Sequence, residues 1–161
     1  MTRLMDLVAG DAHDILLVIG MDDLAALDQP GRFAAHLALG SGLDPTWLDL
    51  FAEAVRNVTS SPEPSDFIDA RLDLESGLDT GGEEVGRAIE RVEPAWVSHV
   101  ARLSDGDLGP VAARWIDLIE DELGFLPREE KPWIRELAGR LVAFCRAADR
   151  APDVLFAWSL Q

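Results

Sequence analysis

The stretch DVLFAWSL at positions 153–160 decides the fold class of this chain. It follows Pro152 and contains five consecutive apolar residues, among them the strand formers valine, phenylalanine and tryptophan. A lone strand leaves its backbone N–H and C=O groups unpaired, so a strand here needs a partner elsewhere in the chain. The stretch therefore predicts an α+β fold, mostly helical, with a small sheet packed on helices. If 153–160 is instead helical, the alternative is an all-α bundle.

Three earlier apolar runs are the candidate partners of this strand. FIDARLDL at 67–74 alternates apolar and charged residues, a period of two that predicts a strand with one face in water. DILLVIG at 14–20 and RFAAHLALG at 32–40 are short, and each ends at a glycine. Periodicity does not separate a buried strand from a helical segment in runs of this length, so both assignments stay open.

Helical periodicity fills most of the remaining chain, and its boundaries carry start and stop signals. An acid followed by proline begins a helix at Asp44 and again at Glu93, because proline suits the first helical turn. Ser104 is a typical N-cap, and Gly124 is a typical C-terminal stop. The predicted helices span about 45–58, 83–93, 94–103, 105–123 and 132–149.

The apolar faces of these helices predict the core. Trp47 and Trp96 each lie two residues after the proline that begins a helix, and both fall on the apolar face. Cys145 lies within the apolar face of the last helix, so we expect a buried thiol and not a reactive one. The length of 161 residues suits a single globular domain, 1–161, with the Pro- and Ser-containing segment 59–66 as an internal linker.

The chain is strongly acidic, and its charge is uneven along the sequence. The net charge is −16; residues 1–85 hold 17 acids and 4 bases, a net of −13, and residues 86–161 hold 13 acids and 10 bases, a net of −3. Such a charge repels nucleic acid and anionic membranes and attracts a basic protein. The single cysteine excludes an intramolecular disulfide, and the N-terminal stretch lacks the pattern of a signal peptide. We therefore expect a cytoplasmic protein, and the preference for arginine over lysine suggests a bacterial source.

The sequence offers few candidates for catalytic residues. The three histidines, His13, His36 and His99, have no spacing typical of a metal site, and the chain has no CxxC, GxSxG, GxGxxG or GxxxxGK pattern. We therefore predict no catalytic residues, no metal site and no cofactor. The alternative is a small metal-dependent hydrolase whose site brings these histidines together with carboxylates from distant positions.

Two groups of acids are the candidate partner-binding residues. The first lies in and before the acidic loop that ends at position 84 and comprises Asp66, Asp69, Asp73, Asp79, Glu83 and Glu84. The second lies at the end of a predicted helix, where each acid opposes the helix dipole by about 0.3–1 kcal/mol, and comprises Asp117, Glu120, Asp121 and Glu122. On a helical wheel, Glu122 even falls on the apolar face. The alternative for the second group is neutralisation by the bases that follow the turn, Arg128, Lys131 and Arg135.

Composition and motifs together favour a non-enzymatic, acidic protein-interaction module of the inhibitor, immunity or adaptor type. In this hypothesis the acidic N-terminal half, above all residues 66–84, binds a basic surface. A homo-oligomer is a further alternative, in which the strand at 153–160 or exposed tryptophans bury against a second copy.

Overall fold

The computed structural model describes residues 3–20, 26–27, 29, 31–40, 43–44, 46–60, 66–73 and 87–160. The fold is α+β, as predicted. The strands are β1 (Arg3–Gly10), β2 (Ala35–Gly40), β3 (Ile68–Asp73), β4 (Arg87–Val92) and β5 (Asp153–Leu160). The helices are α1 (Ala12–Gly20), α2 (Thr46–Thr59), α3 (Pro94–Ala101), α4 (Asp105–Leu123) and α5 (Lys131–Ala148), with a 3₁₀ turn at Arg128–Glu130 before α5.

The strands form one five-stranded antiparallel sheet in the order β2-β1-β5-β4-β3. The stretch 153–160 is a strand, as predicted, and it occupies the centre of the sheet. Its neighbours are β1, where Val8 faces Leu155, and β4, where Ile89 faces Ala157. Both edges of β5 are therefore paired within the chain, so this strand offers no free edge to a second copy.

Neither neighbour of β5 is among its predicted partners. The interpretation of 83–93 as a helix is wrong for residues 87–92, which form β4, while 83–86 lie outside the described residues. A helix of this length is marginal by itself, and Ile89 and Val92 are β-branched residues that suit a strand. Pairing with β5 satisfies the backbone of this segment and buries Ile89 completely, so tertiary contacts override the helical periodicity.

The two ambiguous runs take different structures. Residues 14–20 belong to helix α1, which Asp11 caps: its side chain accepts the N–H of Asp14 at 3.2 Å, and its C=O accepts the N–H of Ile15 at 3.0 Å. Residues 35–40 form strand β2, and 67–74 contains strand β3, as predicted.

The chain groups into two compact units, each assembled from separate segments. The first, the sheet unit, comprises Met1–Leu43, Ile68–Pro94 and Ala147–Gln161. The second, the helical unit, comprises Asp44–Phe67 and Ala95–Arg146. The predicted linker 59–66 lies inside the span of the helical unit, and its residues 61–65 lie outside the described residues. A single domain over 1–161 stays a prediction.

The core of the sheet unit lies between helix α1 and one face of the sheet. Alternate residues of the three central strands point to this face, where the side chains of α1 pack on them. The cluster comprises Val8, Ile15, Val18, Ile19, Ala26, Leu27, Ile89, Leu155 and Ala157.

Aromatic side chains form the centre of the helical unit. The Phe51 ring lies 4.8 Å from the Trp115 ring and 6.3 Å from the Trp96 ring, centroid to centroid. The Trp96 indole N–H donates to the C=O of Leu48 at 3.0 Å, and the Trp115 indole N–H donates to the C=O of Trp47 at 2.7 Å. Trp47 and Trp96 are buried, as predicted, so the repeated proline-x-tryptophan pattern serves to dock helices.

Within the part of the chain that the structure describes, no helix is both long enough and apolar enough to cross a bilayer.

Candidate functional site

The middle of helix α4 is packed in the core, and the C-terminal end of the helix extends beyond it. Its buried residues run from Val111 to Ile119, and Trp115 holds this stretch against α2. Beyond Ile119, every residue up to Phe125 is exposed except Glu120, which is half-buried. The chain returns to the interior only at Leu126. The last turn of α4 therefore projects into solvent, and we call residues 117–125 the acidic corner.

The acidic corner exposes two large apolar side chains. Leu123 is 53% exposed and Phe125 is 71% exposed, on either side of the helix-ending Gly124. Gly124 adopts the left-handed conformation, with φ 78°, and its N–H donates to the C=O of Glu120 at 2.6 Å. This turn directs the chain away from the helix axis and leaves Phe125 in water.

The carboxylates of the acidic corner are mostly unneutralised. Lys131 pairs with Glu120 at 2.8 Å, which confirms part of the neutralising alternative. In the described part of the chain, Arg128 and Arg135 form no ion pair with these acids, and Asp117, Asp121 and Glu122 have no cationic partner. Glu122 is exposed, contrary to its position on the predicted apolar face, because the core ends before the last turn.

For most of the first predicted acidic group, either the whole residue or its side chain lies outside the part of the chain that the structure describes. Asp66 is exposed. Asp69 and Asp73 belong to the edge strand β3, with side chains outside the described set. Asp79, Glu83 and Glu84 lie outside the described residues altogether. Use of this group in partner binding therefore stays a prediction.

One carboxylate close to Asp66 has a perturbed environment. The Asp49 side chain on α2 accepts the backbone N–H of Phe67 at 2.7 Å. Partial burial raises the pKa of Asp49 above its usual 3.8, the hydrogen bond from Phe67 opposes this rise, and the charge of Asp66 adds to it. Asp49 thereby fixes the chain just before β3.

The three histidines occupy three different environments. His13 is exposed on α1, His36 lies on β2 with its Nε2 2.8 Å from the Asp6 carboxylate, and His99 is buried in α3. Among the described residues, no group of three His, Cys, Asp or Glu side chains is arranged to hold a metal ion. The histidines therefore give the hydrolase alternative no support from the described geometry.

Two polar pairs in the sheet unit join strands to their neighbours. Asp6 and His36 connect β1 to β2. The Asp153 carboxylate lies 2.5 Å from Arg91 of β4 and accepts the N–H of Ala12 at 3.3 Å at the start of α1. The negative charge of Asp153 suits the positive end of the helix dipole, so this pair fixes α1 and β4 to the central strand.

Cys145 is fully buried in α5, as predicted from its position on the apolar face. A reactive thiol needs access to solvent and a positive neighbour. The environment of Cys145 is that of a core residue.

Sequence reasoning identified the acids of the corner but missed Leu123 and Phe125. A signal was present: the apolar positions 111, 112, 115, 118 and 119 lead next to position 122, which is a glutamate. A charge at that position marks the end of the buried face, and apolar residues beyond it have no core to enter.

Comparison of the chain with protein-family models, curated protein sequences and solved structures finds no match.

Proposed function

We propose that this chain is a non-enzymatic, acidic protein-interaction module of the inhibitor, immunity or adaptor type that acts in a bacterial cytoplasm and binds a basic surface of another protein. The observation that carries the proposal is the exposure of Leu123 and Phe125 beside carboxylates that have no cationic partner among the described residues. Exposed apolar side chains rimmed by charge are typical of protein contact surfaces.

The net charge of −16 supports a basic partner. Opposite charge steers two proteins together and raises the association rate constant, whereas nucleic acid and anionic lipid carry the same sign as this chain. The cytoplasmic, bacterial assignment rests on the single cysteine and on the arginine-rich composition of its basic residues.

Salt dependence of association tests the proposal. The immobilised chain is used to capture its partner from a cell extract at low ionic strength, and the purified partner is then mixed with the chain in stopped-flow experiments. We expect the association rate constant to fall at least about tenfold between roughly 0.02 and 0.5 M salt, because screening removes the electrostatic attraction. An association rate constant that does not change with salt would contradict the proposal.

A further inference from the structure

The acidic corner concentrates exposed apolar surface in a short stretch of chain. The described residues include four exposed large hydrophobic side chains, Leu17, Leu123, Phe125 and Trp133. Two of the four, including the most exposed, are separated by a single glycine in the acidic corner. A solvent-exposed phenylalanine beside a leucine provides an apolar anchor point for a binding partner.

The carboxylates of the acidic corner and the negative end of the α4 dipole both make this anchor point attractive to a cation. Asp117, Asp121 and Glu122 carry negative charge in the last two turns of α4, where the helix dipole is also negative. Asp117 and Asp121 are four residues apart, so their like charges repel each other along the helix. Lys131 neutralises Glu120 alone. A positively charged partner would relieve these unfavourable terms.

Charge also decides which occupant fits the corner. A second copy of this chain carries a net charge of −16, and an anionic membrane or a nucleic acid would likewise bring negative charge. A basic protein segment brings the complementary sign. The apolar pair requires in addition that this segment present an aromatic or aliphatic side chain between its basic residues.

We infer that the acidic corner docks a basic segment of another protein through an apolar anchor, with Phe125 and Leu123 receiving the anchor and Asp117, Asp121 and Glu122 receiving the flanking Arg or Lys residues. This inference rests on the proposed function and names the surface and the chemistry of the partner.

Two fluorescent peptides serve as probes. Both are short Arg/Ser peptides; one carries a central Leu-Leu-Phe segment, and the other has serine in its place. Dissociation constants are measured by fluorescence anisotropy at low salt, and the binding surface is mapped by amide shifts in NMR spectra. We expect F125S to weaken the Leu-Leu-Phe peptide about tenfold and to leave the Ser peptide unchanged, because only the first peptide has an anchor to lose.

The chain offers matched control variants for the apolar contact and for the charges. Leu17 on α1 is 50% exposed, close to the 53% of Leu123, so L17S removes similar surface outside the corner and should leave both dissociation constants unchanged, whereas L123S should weaken the Leu-Leu-Phe peptide. The pair D117N/D121N should weaken both peptides more than the pair D14N/D149N, which removes the same charge from exposed positions elsewhere. Circular dichroism spectra verify that each variant is folded.

Equal affinity of F125S and the unchanged chain for the Leu-Leu-Phe peptide would overturn the inference. Amide shifts confined to residues outside 117–131, or an equal effect of the two charge variants, would overturn it as well. These outcomes are separate from failure of the proposed function. If association of the captured partner depends on salt but F125S binds it normally, the module proposal stands and this docking surface does not.

Discussion

At the scale of single residues, the buried tryptophans combine packing with a hydrogen bond that holds one helix to another. The Trp96 side chain is fully buried, packs edge to face with Phe67 and at a tilt against Phe51, and donates its indole N–H to α2. The acceptor is a backbone C=O in the first turn of α2. Trp96 therefore contributes to stability through ring volume and through one specific donor atom.

These two contributions separate in a mutation series. We expect W96A to lower the free energy of unfolding by about 3–5 kcal/mol through loss of the ring, and W96F to lower it by about 1–2 kcal/mol through loss of the donor and some volume. W47A should also cost about 3–5 kcal/mol, since Trp47 is buried. W133A is the control, because Trp133 is 38% exposed. Urea unfolding measures all four, and a W133A cost equal to that of W96A would contradict this account.

Asp49 predicts a pH dependence of stability with a defined sign. Because its folded pKa is raised, the folded chain binds the Asp49 proton more tightly than the unfolded chain does. The associated stability is fully present below pH 3.8 and is lost as the pH rises through the folded pKa. D49N does not titrate and keeps an oxygen for the N–H of Phe67, so its stability relative to the unchanged chain should increase as the pH rises through this interval.

Urea unfolding over a series of pH values measures this difference, and D49A is the control. D49A leaves the Phe67 N–H without its acceptor, so it should be less stable than D49N at every pH. A stability difference between D49N and the unchanged chain that is constant from acid to neutral pH would refute the assignment.

At the scale of elements, the end of α4 depends on the backbone conformation of one glycine. Gly124 has φ 78°, where a side chain is strained, and a Cβ at this position would meet no other atom within 4 Å. We expect G124A to cost about 1–2 kcal/mol from backbone strain alone. G139A, within α5, should instead stabilise by about 0.5–1 kcal/mol, because its new methyl group makes only an ordinary contact of 3.8 Å with Leu108. Thermal unfolding compares the two, and stabilisation by G124A would contradict the strain argument.

The sequence predicts the helical elements better than the sheet, for a physical reason. Helices α2 to α4 have start or stop signals in the local sequence, at Asp44, Pro94, Ser104 and Gly124, and each of these residues lies within two positions of the helix end that it marks. Strands gain their stability from partners far away in the chain. Strand β1 escaped detection because Leu7, Val8 and Ala9 are all buried, so no alternation of apolar and polar residues marks it.

The candidate site likewise combines a feature that the sequence predicts with a feature that only the structure reveals. The acids of the corner could be read from the sequence because they violate a local rule about helix dipoles. The exposure of Phe125 could not, since it depends on where the core of the helical unit ends. Local chemistry predicts charge, and only tertiary structure decides which apolar side chains remain in water.

At the scale of the whole molecule, the two compact units share the net charge more evenly than the two halves of the sequence do. The sheet unit holds 16 acids and 6 bases, a net of −10, and the helical unit holds 14 acids and 8 bases, a net of −6. The difference between the units is smaller than the −13 and −3 of the two sequence halves. In the proposed function, net charge attracts a basic partner to the molecule in general, and the apolar pair at the acidic corner selects the place where this partner binds.

The central position of β5 has a consequence for the order in which the protein matures during synthesis. Gly10 of β1 pairs with Asp153 of β5, so this edge of β1 lacks its partner while about 140 further residues are added, roughly 7–30 s at about 5–20 residues per second. The segments of the helical unit end at Arg146 and are all synthesised before β5. β2 can pair with one edge of β1 early in synthesis, but the other edge of β1 has no partner until β5 emerges, and the sheet is completed only then.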